Sequence, residues 1–193
     1  MPQYPKIWFL RHGQTEWNKV YRLQGQLDSP LTDQGKAEAA RQAVLIAPVL
    51  RNAPPIYVSP LGRTRQTADI VLNGQGYQTD DRLKEIHAGK WQGLLRADIL
   101  AQRPDWQAQG PTALEIYEAA EGGEGLAAFH DRIVSFLTDL TEPSVVVAHG
   151  LLGQVMRAHI LGIDIAQAGY LSNIQGCVYV LENGIETVWK SVH

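Results

Sequence analysis

The chain has 193 residues, 45% of them hydrophobic and 19% charged, with a formal net charge of −3 at pH 7. This suits one soluble globular domain, residues 1–193, with a full core, and argues against a broad basic footprint for nucleic acid. The single cysteine, Cys177, excludes an intrachain disulfide and a CxxC metal or redox site, and no apolar run approaches the roughly 18 residues of a membrane span. The segment Met1 to Leu10 has one lysine and too short an apolar stretch for a secretory signal. The expectation is a cytoplasmic protein with no membrane and no nucleic-acid partner.

Strands and helices alternate along the sequence. Lys6 to Leu10 reads as a buried strand, followed by a polar stretch to Pro30 with a turn at Asp28-Ser29-Pro30. Thr32 caps a helix whose small or apolar residues Ala37, Ala40, Val44 and Ala47 recur at helical spacing, and Pro48 should end or kink it. Pro54-Pro55 opens a short strand, Ile56 to Val58. Ser59-Pro60 then combines a capping hydroxyl with proline at the first helical position, and Asn73-Gly74 ends that helix.

From Gln75 to Gly125 apolar periodicity is weak, and short helices are expected only near Arg96 to Gln102 and Pro104 to Gln109. We read about 88–125 as a cap on the domain rather than a second domain. Leu126, Phe129, Ile133, Phe136, Leu137 and Leu140 form the clearest amphipathic helix. The strand Val145 to Ala148 leads into a helix from about Leu151 to Leu161. Two final strands, Cys177 to Leu181 and Glu186 to Trp189, join through Asn183-Gly184, a hairpin signal. An unpaired edge on that hairpin would allow a homodimer.

Two of these strands end alike. Arg11-His12-Gly13 follows the first, and His149-Gly150 follows Val145–Ala148. Open α/β sheets bind ligands at the carboxyl ends of their strands, so both imidazoles would face one crevice, with Arg11 adding charge. Four segments carry the chemistry: Arg11-His12-Gly13, Ser59 to Ala68 with Arg63, Leu83-Lys84-Glu85-Ile86, and His149-Gly150.

In this order they resemble the histidine phosphatase superfamily, also called phosphoglycerate mutase-like. The resemblance extends to Thr15-Glu16-Trp17-Asn18, Gln24-Gly25, Leu31 to Gly35, His87 to Gly93 with its Gly-x-Trp-x-Gly signature, and Gly122-Gly123-Glu124 with Arg132. The family's serine after Glu124 is Gly125 here. The resemblance implies a three-layer α/β/α sandwich with a mostly parallel sheet, an antiparallel edge and a helical cap. It further implies a metal-independent acid or neutral phosphatase without cofactors, acting on a small phosphorylated substrate through a phosphohistidine. Members with a similar Glu-Ile-His-x-Gly-x-Trp segment are broad-specificity phosphatases.

The residues fit those roles chemically. A histidine nucleophile must be neutral at its attacking nitrogen, and a backbone carbonyl in the Gly13 turn would hold the other ring N–H. Phosphoryl transfer needs positive charge around the equatorial oxygens, which Arg11, Arg63 and protonated His149 would supply. Asn18 would add a neutral hydrogen bond, and the helix beginning near Leu151 its free N–H groups. Arg63 lies in the first turn of its helix, where a cation is unfavourable by up to about 1 kcal/mol, and a bound anion relieves that. Arg65 points to nearly the opposite face, so only one of the two would reach the site; the resemblance selects Arg63 and leaves Arg65 as a solvated charge. Glu85 would give the leaving group its proton and then activate water.

Gln24, Trp91 and Glu124 are the substrate-side and cap candidates, although Trp91 and Trp106 also suit cap packing. His87, His130, His159 and His193 lack metal-ligand spacing. Two other readings stay open: phosphoglycerate mutase-type transfer, which the short interval between Glu85 and His149 disfavours, and a phospho-ligand or phosphoprotein module that binds or dephosphorylates.

Overall fold

The computed structural model describes residues 3–191, apart from the Gln107 side chain. Met1, Pro2 and the surface candidate His193 lie outside the described residues. In chain order the elements are β1 (Ile7–Arg11), α1 (Glu16–Lys19), α2 (Asp33–Leu50), β2 (Ile56–Val58), α3 (Gly62–Leu72), β3 (Gln78–Thr79) and α4 (Arg96–Ala101). Then come α5 (Pro104–Gln109), α6 (Ala113–Glu118), α7 (Leu126–Asp139), β4 (Ser144–Ala148), α8 (Gly150–Leu161), β5 (Val178–Glu182) and β6 (Ile185–Trp189).

The six strands form one sheet in the order β3-β2-β4-β1-β5-β6. Strands β3, β2, β4 and β1 run parallel, β5 pairs antiparallel with β1, and β6 reverses again against β5. Side-chain alternation splits the core into two layers. Ile7, Phe9, Val146, Ala148, Tyr179 and Leu181 face α7 and α8, with Phe129, Ile133, Phe136, Leu152 and Val155. Leu10, Val145, Val147, Val178 and Val180 face α2 and α3, with Ile46, Ala68 and Val71. Every residue of β4 is buried, as a central parallel strand covered on both faces should be. The expected three-layer architecture is therefore present, its antiparallel element being β5.

A third apolar cluster (Leu23, Ala88, Ile99, Trp106, Ile116 and Ala120) ties the α4–α6 region to the loop after α1. Among the described residues, no helix is long and apolar enough to cross a membrane.

Several local expectations change. Helix α2 runs through Pro48 to Leu50. The proline lies in its last turn, so only one amide bond is forgone close to where the helix ends anyway. Helix α3 begins at Gly62 with Leu61 at its N-cap and no side-chain cap of its own. The hydroxyl expected to cap it, Ser59, is drawn elsewhere. Instead Asp28 reaches across, its carboxylate accepting from Gly62 N at 2.6 Å and Arg63 N at 3.2 Å. The short α1, β3, α6 and the 3₁₀ segment Ile165–Tyr170 carry too little periodicity to be read from sequence. At the hairpin, Asn183 and Gly184 both take positive φ (53° and 72°), as the type I′ turn requires.

Candidate active site

β1 and β4 are parallel neighbours in register, with Arg11 opposite Ala148. The residues just beyond them are therefore adjacent. His12 N donates to Ala148 O at 3.0 Å, and the His12 and His149 rings lie edge to face with centroids 5.4 Å apart. The turn after β1 is fixed from several sides. Gln42 Nε2 donates to Arg11 O, Gln175 Nε2 donates to His12 O, and Thr67 Oγ1 of α3 accepts from Gly13 N at 3.1 Å. Gly13 also meets the start of α2 backbone to backbone: a Cβ there would lie 2.1 Å from Gly35 O.

His12 is buried, and its Nδ1 lies 2.7 Å from Gly13 O. A carbonyl only accepts, so Nδ1 carries the proton and Nε2 holds the lone pair. Arg63 Nε donates toward that Nε2 at 3.3 Å. Burial, followed by the Arg63 and Arg11 charges, pushes the His12 pKa well below the usual imidazole range. The ring is thus neutral, with its nucleophilic nitrogen beside a guanidinium.

Arg63 is 1% exposed and is held as a fixed cation. Its guanidinium donates to Gly25 O at 2.7 Å, Leu27 O at 2.8 Å and Asp28 Oδ1 at 3.1 Å. Arg65 is exposed on the other side of α3. Arg11 Nη1 donates to Asn173 O at 2.5 Å, while its buried Nε has no protein partner among the described residues. Asn18 Oδ1 accepts from Thr15 N in the capping box of α1, so its Nδ2 is the end left for a ligand.

His149 departs from expectation in its charge. Burial, Arg63 and His12 together push its pKa well down, so it is neutral without a ligand. Its Nε2 lies 2.7 Å from Ser59 Oγ, and its buried Nδ1 has no partner among the described residues. A phosphoryl dianion arriving beside this ring would reverse the balance and favour its protonation.

Glu85 occupies the N-terminus of α8. Oε2 accepts from Leu151 N at 3.0 Å and Oε1 from Leu152 N at 2.9 Å and Ile86 N at 3.2 Å. Here the expectation for Leu151 is corrected: its N–H serves the buried carboxyl rather than standing free for phosphate, because the helix end is the nearest source of donors for that group. Burial nonetheless raises the Glu85 pKa against those three amides and Arg63. The loop carrying Glu85 is stapled by Arg132, which donates to Arg82 O at 2.5 Å, Glu85 O at 3.1 Å and both Glu124 oxygens.

One cavity of about 130 Å³ gathers these groups: Arg11, His12, Asn18, Gln24, Arg63 and Glu85. Tyr117, Ala113, Gly150, Leu151 and Asn173 complete its wall. Larger surface hollows lie away from these histidines, such as the one against Tyr4 and Asn183.

The chain belongs to the histidine phosphatase superfamily. The family model described as "Histidine phosphatase superfamily (branch 1)" matches residues 7–189. Phosphoserine phosphatase 1 of Hydrogenobacter thermophilus is 33% identical over 84% of this chain and 79% of its own length. Glucosyl-3-phosphoglycerate phosphatase of Mycolicibacterium vanbaalenii is 34% identical over 83% of this chain and 76% of its own. The protein named "Probable phosphoglycerate mutase GpmB" from Serratia proteamaculans is 32% identical over 82% of this chain and 75% of its own. Among solved structures, a mycobacterial glucosyl-3-phosphoglycerate phosphatase described with VO3 superposes with a TM-score of 0.78 at 29% identity, covering 97% of this chain and all of that one. The family and fold expectations are both met.

Three candidates are outside the cavity lining of this superfamily member: His149, which packs against His12, Trp91 and Glu124. Trp91 packs edge to face against Trp106, with ring centroids 5.9 Å apart. Glu124 is spent on Arg132 and on His87 N, so it acts behind Glu85. Sequence reasoning missed four residues. Asp28 holds α3 and Arg63, Ser59 holds His149, Asn173 holds Arg11, and Tyr117 lines the wall. Only Asp28 and Ser59 stood out locally, and both as ordinary turn or cap residues.

Proposed function

We propose that this protein hydrolyses phosphomonoesters of small organic alcohols through phospho-His12. The observation that carries the reading is the buried, neutral His12, its Nδ1–H tied to Gly13 O and its Nε2 lone pair beside Arg63 at the cavity. His12 Nε2 attacks phosphorus. Arg11, Arg63 and Asn18 take the equatorial oxygens, and His149 joins them once the dianion has raised its pKa. Glu85, whose pKa burial raises, gives its proton to the departing alkoxide. The resulting carboxylate then takes a proton from the water that attacks phospho-His12, which restores both groups.

Hydrolysis is favoured over mutase-type transfer by the cations of the cavity lining, Arg11 and Arg63. Both serve one phosphoryl group, which leaves no further Arg or Lys in that lining, among the described residues, for a second anion. We read residues 1–193 as one domain with 88–125 as its cap. Net charge −3 and a buried free thiol at Cys177 favour a cytoplasmic enzyme without a nucleic-acid partner. The outer edge of β6 is where a second copy would pair to give a homodimer.

The test is hydrolysis of p-nitrophenyl phosphate in EDTA, with an alkali quench to trap phosphoenzyme. Wild type should turn over and carry an alkali-stable, acid-labile phosphate that His12→Ala lacks. Turnover that survives His12→Ala, or that EDTA abolishes, refutes the assignment.

A further inference from the structure

Part of the cavity lining is not assigned to the phosphoryl group and has its own chemistry, and reading it rests on the phosphatase assignment above. Besides the groups of the phosphoryl clamp, the lining holds Gln24, Tyr117, Ala113 and Asn173. None of these side chains is charged. Gln24 is 5% exposed, yet its Oε1 has no partner among the described residues. A buried carbonyl oxygen left unpaired costs stability, so its natural partner is a donor that arrives with a ligand.

Tyr117 supplies the complement. Its hydroxyl accepts from Gln24 N at 3.1 Å, which fixes the ring against the same residue and leaves the O–H as a donor. Burial and the neighbouring Glu85 carboxyl push the phenol up to about 12, so that proton stays in place across the working range. The two groups sit on different elements: Gln24 on the loop after α1, Tyr117 on α6 of the cap. A single hydroxyl between them would donate to Gln24 and accept from Tyr117.

Charge narrows the class further. A carboxylate on the leaving group would need a cation, and the arginines of the lining are already directed at the phosphoryl oxygens. The other ionisable groups of the lining, Glu85 and Tyr117, are acids and offer no positive charge. The cavity, at about 130 Å³, is also well below the roughly 300–1,000 Å³ of sites for drug-sized ligands. We propose that Gln24 and Tyr117 form a donor–acceptor pair that selects small, uncharged, hydroxyl-bearing leaving groups, the polyol or sugar phosphates, over carboxylated ones.

Three substrates of similar size separate the terms. Glycerol 3-phosphate offers the hydroxyls, 1-propyl phosphate lacks them, and 3-phosphoglycerate replaces the terminal CH₂OH by a carboxylate. In wild type, kcat/KM for glycerol 3-phosphate should exceed that for each of the others by about tenfold, the worth of one well-placed neutral hydrogen bond. Tyr117→Phe and Gln24→Leu, each checked for native circular dichroism, should bring the glycerol-to-propyl ratio to within about twofold. Because they lie on separate elements, either folded variant decides the question. Wild-type values within threefold of one another, a preference for 3-phosphoglycerate, or a ratio unchanged in a folded variant overturns the pair. If p-nitrophenyl phosphate is hydrolysed while the ratios are flat, only the selectivity falls. If wild type hydrolyses no monoester at all, the phosphatase reading falls and takes this one with it.

Discussion

Glu85→Gln separates the two steps assigned to the site. The substitution keeps size and polarity but removes the transferable proton. Glu85 now accepts three backbone N–H bonds through two oxygens. A carboxamide has one oxygen, so the N–H of Leu151 or Leu152 would face an NH₂ group and lose its acceptor, at a cost of about 1–3 kcal/mol. Against this, the variant no longer carries a buried acid that must ionise. The fold should therefore survive and activity should remain interpretable.

General acid–base catalysis by one side chain is typically worth about 10²–10⁴ in rate, or about 2.7–5.5 kcal/mol of barrier. The loss should depend on the leaving group. An alkoxide needs the proton, so glycerol 3-phosphate hydrolysis should fall by the full factor. p-Nitrophenolate leaves without help, so phosphorylation of His12 should persist while the attack of water on phospho-His12 slows. With that substrate the variant should release a burst of one p-nitrophenol per active site before a slow steady state. Rapid-quench kinetics on both substrates measures this. Equal losses for the two substrates with no burst would refute the assignment of Glu85 as acid and then base.

Three further outcomes follow from the same geometry. A methyl on Gly35 would lie 2.0 Å from Gln14 O, a backbone atom that cannot swing aside, so Gly35→Ala should cost about 3 kcal/mol and lower Tm by roughly 6–12 °C in calorimetry; an unchanged Tm would show that α2 does not clamp the His12 turn. Asp28→Ala removes two donors' acceptor at the start of α3 and an ion pair whose carboxylate is 42% exposed; urea titration should register a loss of about 1–2 kcal/mol, and vanadate inhibition should weaken as Arg63 loosens. In pH-dependent unfolding, His12 and His149 have folded pKa values below the ordinary imidazole value of about 6.5, so the unfolded chain binds protons first and stability drops as pH falls through that value, by up to about 1.4 kcal/mol per pH unit for each ring. Glu85 works in the opposite sense, because its raised folded pKa makes the native state the stronger proton binder at mildly acid pH, so Glu85→Gln should steepen the acid loss.

How much of this was legible depended on how local each signal is. The strand ends bearing His12 and His149 could be read because four apolar residues leading into His-Gly, through Arg11 in the first case, is a local pattern, and parallel pairing then brings the two ends together. Two residues along a helix turn a side chain to the far face, so only one of Arg63 and Arg65 could reach the site, and the family resemblance selects Arg63. Pro48 misled because its position relative to the helix end, not its identity, decides the cost. Trp91 and Glu124 are substrate-side or cap candidates because the family pattern records that they matter and not what they touch, and cap packing is the role that suits Trp91. The structure turns one onto Trp106 and the other onto Arg132.

What stayed hidden shares one cause: each missed residue works through a partner far away in sequence. Ser59 looked like a cap because its neighbours are Pro60 and a helix. Yet His149, 90 residues on, is a stronger claim on the hydroxyl, since a buried imidazole has nowhere else to place its Nε2. Releasing Ser59 from capping left α3 open, and Asp28, 34 residues earlier, filled the vacancy with a charged oxygen. That same carboxylate is the ion-pair partner of Arg63. The cation that sits unfavourably in the first turn of its helix is thus compensated by the group that caps the helix. A phosphoryl ligand then meets an arginine already oriented, so less ordering is left to the moment of binding. The neutral state of His149 follows from burial and from the same preorganisation: burial first, then the fixed Arg63 guanidinium, suppress its charge until an anion arrives, so its protonation is coupled to substrate binding and is not a standing property of the fold.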